Sequence, residues 1–280
     1  MLFNDFAAAH GVLVRDAYPS DKIKRCATTL HPRSKNGAYF FDGERGWVFA
    51  WDGDAQVQWW SDENAKPWTE EDKAEFKRRQ QKAREERSLL HSEVAKKAQS
   101  ILNSCEALPH EYLIEKGFPE ELGFVAAGSL YIPMRNVVTN ALQGLQVISC
   151  GPDRTKRMLA GMMAKNAVFR FGSKTADKAI LCEGYATGLS IHKAVAQLRL
   201  NASVVVCFSA NNMVAVSSQT KSNVFVFADN DQSCTGELSA KMIARPYVMS
   251  DKQGEDANDL MQRAGILAVC KKVMELVSRQ

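Results

Sequence analysis

The sequence predicts an α/β protein: a C-terminal parallel sheet flanked by helices, preceded by a mixed α+β basic subdomain and a small N-terminal β-rich module. Three observations lead there. From Lys178 onward, near-continuous apolar runs of strand length alternate with helix-like stretches, the pattern of a parallel sheet covered on both faces. From Thr69 to Ala98 the chain contains no Gly or Pro and is rich in Glu, Lys, Arg, Gln and Ala, which predicts one long helix. Before residue 65, aromatic runs are interrupted by Asn36-Gly37, Asp42-Gly43 and Asp52-Gly53, which are hairpin signals.

Four regions follow. Residues 1–65 open on a short helix-like segment and continue as strands and turns to Trp59 and Trp60, a small antiparallel sheet. Its exposed aromatics, beside Arg33 and Lys35, have a second reading as a surface on which bases stack. Residues 66–105 form a charged helical connector. Thr69 and Asp72 stand at capping-box spacing, and the ten basic and seven acidic residues between Lys66 and Lys97 suit a solvated helix. Residues 106–176 begin with a short helix ending at Gly117, then give apolar strands at Leu130–Met134 and Leu142–Ile148. Seven cations and two acids fall between residues 151 and 178, either a solvated loop or a phosphate-binding surface. Residues 177–280 supply strands Lys178–Glu183, Val204–Phe208, Val224–Asp229 and Tyr247–Ser250. Helices follow at Ala186–Leu198, from Asn211, at Gly236–Ala244 and from Asp259.

Composition narrows the classes. At 280 residues the chain has length for a substantial core, and a formal charge of +4 permits a nucleic-acid partner without requiring one. Seven cysteines are scattered without a CxxC pair, so no zinc is expected, and Cys182 and Cys207 read as small core residues. No stretch has the length and apolarity of an export signal or a membrane span, so a cytoplasmic protein without a membrane partner is expected.

The chemistry lies in the acids. Ala179–Cys182 runs into Glu183-Gly184, Val224–Ala228 into Asp229-Asn230-Asp231, and the strand near Val248 into Asp256 and Asp259. In open α/β sheets, ligands gather beyond the carboxyl ends of the strands, so three strands would deliver these carboxylates to one edge. Such a cluster repels itself unless a cation sits in it, and an all-oxygen set suits two or more Mg²⁺ or Mn²⁺ ions. Gly184 would let the backbone turn behind Glu183. Asp256 and Asp259 have a second reading as N-capping residues of the last helix.

This order of motifs resembles the Toprim domain of bacterial-type primases, topoisomerases and some nucleases. The stretches Leu108–Leu113, Tyr131–Arg135, Gln143–Ile148, Lys156–Gly161, Cys182–Ile191 and Asp256–Leu260 are similar to the Toprim primases of phages and plasmids. Arg25–Tyr39 resembles their N-terminal module in degenerate form. The resemblance implies Glu183, Asp229 and Asp231 as catalytic, with Glu183 a metal ligand or general base. It implies Asp229, Asp231 and Asp256 as metal ligands, with Asp259 as a fifth member. Lys156 and Arg157 match a Lys-Arg pair that meets nucleotide or template, and Arg135 is a second basic contact. Arg154, Arg170 and Lys174 belong to the same basic, nucleotide- or DNA-binding set.

The function implied is that of a DNA primase, a nucleotidyltransferase making short RNA primers on single-stranded DNA from ribonucleoside triphosphates, in the cytoplasm of a bacterial host. No GxxxxGK[ST] loop is present, so a replicative helicase would be a separate partner. Two alternatives stay open: a Toprim nuclease using the same metals with water as nucleophile, and a non-catalytic Toprim module that binds DNA or a replication partner.

Overall fold

The structure, a computed structural model, describes residues 1–51, 56–65, 69–151 and 153–279. Asp52-Gly53, one of the expected turns, lies outside them. The chain divides into two compact units, Met1–Gln81 and Lys82–Gln280.

In the first unit, helix α1 (Phe3–Ala9) precedes a five-stranded antiparallel sheet of β1 (Val12–Leu13), β2 (Lys24–Thr28), β3 (Gly37–Phe41), β4 (Arg45–Ala50) and β5 (Gln58–Ser61), in sequence order. Asp42-Gly43 makes the β3–β4 turn as expected: the Asp42 carboxylate accepts from the Glu44 and Arg45 amides, and Gly43 takes φ +110. Asn36-Gly37 does not make a turn of its own; Gly37 is already the first residue of β3. The core is Phe3 and Ala7 of α1 against Val12, Tyr39 and Val48. Phe3 stacks on Phe41 at 4.6 Å and meets Trp60 edge-on at 5.5 Å.

Helix α2 (Glu70–Asn103) starts as its sequence demands. The Thr69 amide donates to the Asp72 carboxylate at 2.9 Å and the Asp72 amide to the Thr69 hydroxyl at 3.1 Å. It runs 34 residues, and only Val94 and Ala98 are buried.

The second unit continues with β6 (Glu106–Leu108), α3 (Glu111–Glu115), β7 (Gly123–Ala126), β8 (Ser129–Asn136), β9 (Leu142–Ile148), β10 (Lys156–Met158) and β11 (Ala167–Phe171). There follow β12 (Lys178–Cys182), α4 (Tyr185–Gln197), β13 (Ala202–Val206), α5 (Ala210–Ser217), β14 (Asn223–Phe227), α6 (Thr235–Ile243), β15 (Tyr247–Val248), α7 (Ala257–Ala264) and α8 (Ile266–Ser278). These strands form a single sheet, β10-β9-β8-β11-β13-β12-β14-β15, with β6 and β7 branching from β8. β13, β12, β14 and β15 are mutually parallel, and β11 joins β13 antiparallel.

Strand alternation sorts the core onto two faces. Ile180, Val204, Val206, Phe225 and Phe227 pack under α4, α7 and α8; Leu181, Val205, Val224 and Val226 pack under α5 and α6. Cys182 and Cys207 are fully buried, one on each face, as small core residues. Two details differ from expectation. The cation-rich segment contains two strands, β10 and β11, instead of one loop. The final helix starts at Ala257, not Asp259, and breaks at Gly265, whose φ of +79 ends α7 and starts α8. Among the described residues no helix is long and apolar enough to cross a membrane.

Helix α4 lies close on β13 because Gly188 has no side chain: a Cβ there would stand 2.5 Å from Val206 Cγ2 and 3.2 Å from the Phe171 ring. Gly to Ala inside a helix normally gains about 1 kcal/mol. Here overpacking against a fully buried valine costs about 1–3 kcal/mol and reverses the sign. Gly188→Ala is expected to lower Tm in a calorimetric melt, where an ordinary helix position would raise it.

Candidate functional site

The parallel register places the acids. Leu181 pairs with Val226 across β12 and β14, which sets Glu183 level with Ala228, one residue before Asp229. Beyond β13, the Phe208 amide donates to the Glu183 carbonyl at 2.9 Å, with Phe208 itself at φ +63. A bulky residue in the left-handed region is strained, and here it turns the chain directly into α5. The Ala210 backbone then donates to the Glu183 carboxylate, at the start of that helix. Gly184, by contrast, has φ −92 and needs no special freedom; what its missing Cβ leaves is room beside the Thr187 hydroxyl.

Asp229 is the electrostatic centre. Its pKa is pushed up to about 7, first by burial and then by Asp256, Glu183, Asp231 and Asp259, so all four other acids bear on it. Its Oδ1 is buried without a hydrogen-bond partner among the described residues. The start of α6 crowds against it, with a Cβ on Gly236 standing 2.5 Å from the Asp229 carbonyl oxygen. The Glu183 pKa is also raised, by burial and by Asp231.

The other three acids are engaged locally. The Asp231 carboxylate accepts from the Ser233 hydroxyl at 2.6 Å and more weakly from the Thr235 and Gly236 amides; the Ser233 bond leads the causes that lower its pKa. Asp256 and Asp259 do form the capping box of α7: Asp256 accepts from the Asn258 and Asp259 amides, and Asp259 accepts from the Asp256 amide. Among the described residues no three His, Cys, Asp or Glu side chains stand together closely enough to hold a metal ion. The edge collects the carboxylates without closing them into a coordination sphere. The donor set nevertheless fits a hard divalent cation. It is all oxygen, and Asp229 combines an unbonded buried oxygen with a charge that four neighbours oppose.

Other residues hold this edge, and the sequence reading missed them. Thr187, fully buried in α4, donates to Asp256 Oδ2 at 2.7 Å. Asn258, also buried, donates to the Lys116 carbonyl and the Ser190 hydroxyl, tying α7 to α4 and to the end of α3. Glu255 is bonded through both oxygens to Arg263 at 2.6 and 2.9 Å and accepts from Ser250, which brings its pKa down to about 2. Its carbonyl accepts from the Asn230 amide, so the loops bearing Asp229 and Asp256 are joined through backbone. The signal available was Thr187 and Ser190, two hydroxyl residues in a stretch of α4 that would otherwise read as an ordinary buried, apolar helix face.

The six cations separate. Lys156 lies nearest the acids. Desolvation and then Lys116 lower its pKa, opposed by Asp256 and Asp259, and its ammonium stands 4.9 Å from the Tyr112 ring. Arg157, its neighbour in a strand, points to the opposite face of β10. Arg154 is paired with Glu115 through both nitrogens of its fork and reaches Glu111 at 3.8 Å. Arg135, Arg170 and Lys174 lie together elsewhere, around one depression.

A sheet edge with Glu183-Gly184, Asp229-Asn230-Asp231 and Asp256 on successive parallel strands is a distinctive arrangement, and comparison with protein families bears on it directly. Residues 178–266 match the Toprim domain. The match runs from the first residue of β12 to the first of α8 and so spans all five acids. No curated protein matches the chain. Among solved structures, one similar chain comes from a structure of the bacteriophage T7 lagging-strand DNA polymerase interacting with primase domains of two gp4 subunits bound to an RNA/DNA hybrid and dTTP. The identity is 14% and the TM-score 0.41, over 60% of this chain and 86% of that one, a likeness too slight to carry weight.

The Asp229 carboxyl makes a pH prediction for the protein without bound metal. Its folded pKa, about 7, lies above the ordinary 3.8, so the folded state holds the proton more tightly than the unfolded chain. The group costs nothing below pH 4, its cost grows between pH 4 and 7, and the full cost persists above pH 7. Asp229→Asn is expected to melt several degrees above the wild type at pH 8 in EDTA and level with it at pH 4, read by calorimetry.

Proposed function

We propose that the chain is a DNA primase, joining ribonucleotides on a single-stranded DNA template in a reaction that depends on Mg²⁺ or Mn²⁺. The observation that carries this reading is Asp229: a buried, unbonded carboxylate oxygen at the centre of four other acids, inside a segment that matches the Toprim domain. Asp229, Asp231 and Asp256 would hold the ions, with Glu183 a further ligand or the general base and Asp259 a fifth member; Asp256 and Asp259 also serve the helix cap. When bound, the ions supply charge neutralisation on the triphosphate and acidify the attacking hydroxyl.

The chain's own groups account for the rest. The primer 3′-oxygen attacks the α-phosphorus of the incoming nucleotide, the bond to the β-phosphate oxygen breaks, and pyrophosphate leaves. As general base, Glu183 would take the hydroxyl proton. Burial and Asp231 raise its pKa, the direction that makes a carboxylate a better proton acceptor. Lys156 supplies a cation beside Asp256 and Asp259 for the departing pyrophosphate. This placement beside the acids favours chain synthesis over hydrolysis, in which no pyrophosphate has to be held.

The purified chain with Mg²⁺ or Mn²⁺, four ribonucleoside triphosphates and single-stranded DNA is expected to make oligoribonucleotides. Glu183→Gln should lower the rate by at least about 10²-fold while DNA binding is kept or strengthened. A wild-type chain that binds both substrates and makes no oligoribonucleotide sinks the proposal. Metal-dependent breakdown of labelled DNA without nucleotides assigns the acids to hydrolysis instead.

A further inference from the structure

The ladder between β14 and β15 stops short of the start of β14. The Asn223 amide donates to the Asp177 carbonyl on the β12 side, so by the two-residue period of a strand Val224, Val226 and Ala228 turn their backbone groups the other way, towards β15. Val226 donates there to the Pro246 carbonyl at 3.0 Å and Ala228 to the Val248 carbonyl at 2.9 Å. Val224 is left over. In this register its carbonyl would accept from residue 246, and Pro246 has no N–H. Its amide would need the Ala244 carbonyl, but Ala244 ends α6 at φ +54 and no such bond forms among the described residues.

The open edge borders a depression of about 490 Å³, a size that takes a small molecule or a short piece of chain. Val224 and Phe225 are its buried residues, Lys221, Asn223 and Arg245 its exposed ones, and the lining has no Asp or Glu. Lys221 and Arg245 follow the last turns of α5 and α6, where a cation ordinarily serves the terminal carbonyls. Here other groups do so. The Ser217 and Thr220 hydroxyls donate to the Val214 and Val216 carbonyls of α5, and the Ala244 amide donates to the Lys241 carbonyl of α6. Neither cation forms an ion pair or a hydrogen bond among the described residues. Asp177, just before β12, is engaged by the Asn201 amide at 2.7 Å.

Unpaired backbone groups on a strand edge invite another strand, and two unengaged cations beside them select its charge. We infer that this groove takes an extended acidic segment of a partner protein, whose backbone pairs with Val224 while its carboxylates meet Lys221 and Arg245. A phosphodiester backbone would satisfy the cations and the Val224 amide, yet it has no donor for the Val224 carbonyl. A peptide has both. Val224 and Asp229 lie on one run of chain, roughly 17 Å apart, so a protein docked at the foot of the strands leaves the acidic edge open.

Fluorescence anisotropy in EDTA, with a short labelled peptide alternating aspartate and valine, compares the wild type with Lys221→Gln and Arg245→Gln. Both residues are exposed, so both variants are expected to keep the wild-type Tm. The wild type should bind this peptide and not its asparagine counterpart. Each substitution should weaken binding about fivefold and the two together about twentyfold. Methylating the peptide's backbone nitrogens removes the donor for the Val224 carbonyl and should weaken binding about tenfold. Primer synthesis on bare DNA should be unchanged in both variants, which lie at the other end of the strands from the acids. A wild type that does not bind the acidic peptide, variants that bind it as the wild type does, or a methylated peptide that binds as tightly as its parent overturns the inference. So does oligothymidylate binding that both variants weaken when the peptide does not bind, which assigns the cations to nucleic acid. Absent primer synthesis beside intact peptide binding keeps the groove and removes only the catalytic reading.

Discussion

Mutual repulsion among carboxylates at one sheet edge is the constraint on which the rest of this molecule turns. Parallel strands end in register, so whatever follows them is delivered to the same place, and here that is Glu183, Asp229 and, through the next loop, Asp256. Asp229 bears the consequence, with a pKa near 7 and an oxygen that no described residue satisfies. Its neighbours are quieted by other means: Asp231 by Ser233 and the first amides of α6, Asp256 by Thr187 and the first amides of α7. Helix N-termini and hydroxyls thereby offset a charge density that water alone would not tolerate at this depth.

The supporting residues read as consequences of the same constraint. Glu255 sits next to Asp256 and would add another buried negative charge, yet the forked bond with Arg263 neutralises it and brings its pKa near 2. Its backbone meets Asn230, so the loops on either side of the acidic edge are fixed to one another. Asn258 extends that rigidity to α3 through the Lys116 carbonyl, close to where Lys156 approaches. Geometry at a site of this kind is held by neighbours whose own rotamers are locked, and Thr187, Asn258 and Arg263 have that part here.

Much of the fold was legible because its signals are local. Hydrophobic runs of strand length, the Thr69–Asp72 box and the Asp42-Gly43 turn each specify structure within a few residues, and each forms as read. β11 was not legible. Its five residues include Arg170 inside a cation-rich stretch, and it is a strand only because β8 and β13 offer edges from far along the chain. The acids themselves were readable from their positions after apolar runs. Their tertiary partners were not, since nothing in the order of residues announces that Thr187 meets Asp256 or that Lys156 approaches it while Arg157 points away. Gly184 invited an explanation from backbone freedom that its φ of −92 does not need.

The capping box of α7 has a consequence for anyone who ranks related chains by their acids. Asp256 and Asp259 start a helix that helps cover one face of the core, so a descendant that had lost any chemistry at this edge would still be selected to keep them. Asp229 has no such employment. It caps nothing, leaves an oxygen unbonded and destabilises the empty fold at neutral pH, which makes it the first acid that drift would discard. In a lineage of such proteins, the survival of this one carboxylate is the most economical record of continued chemistry.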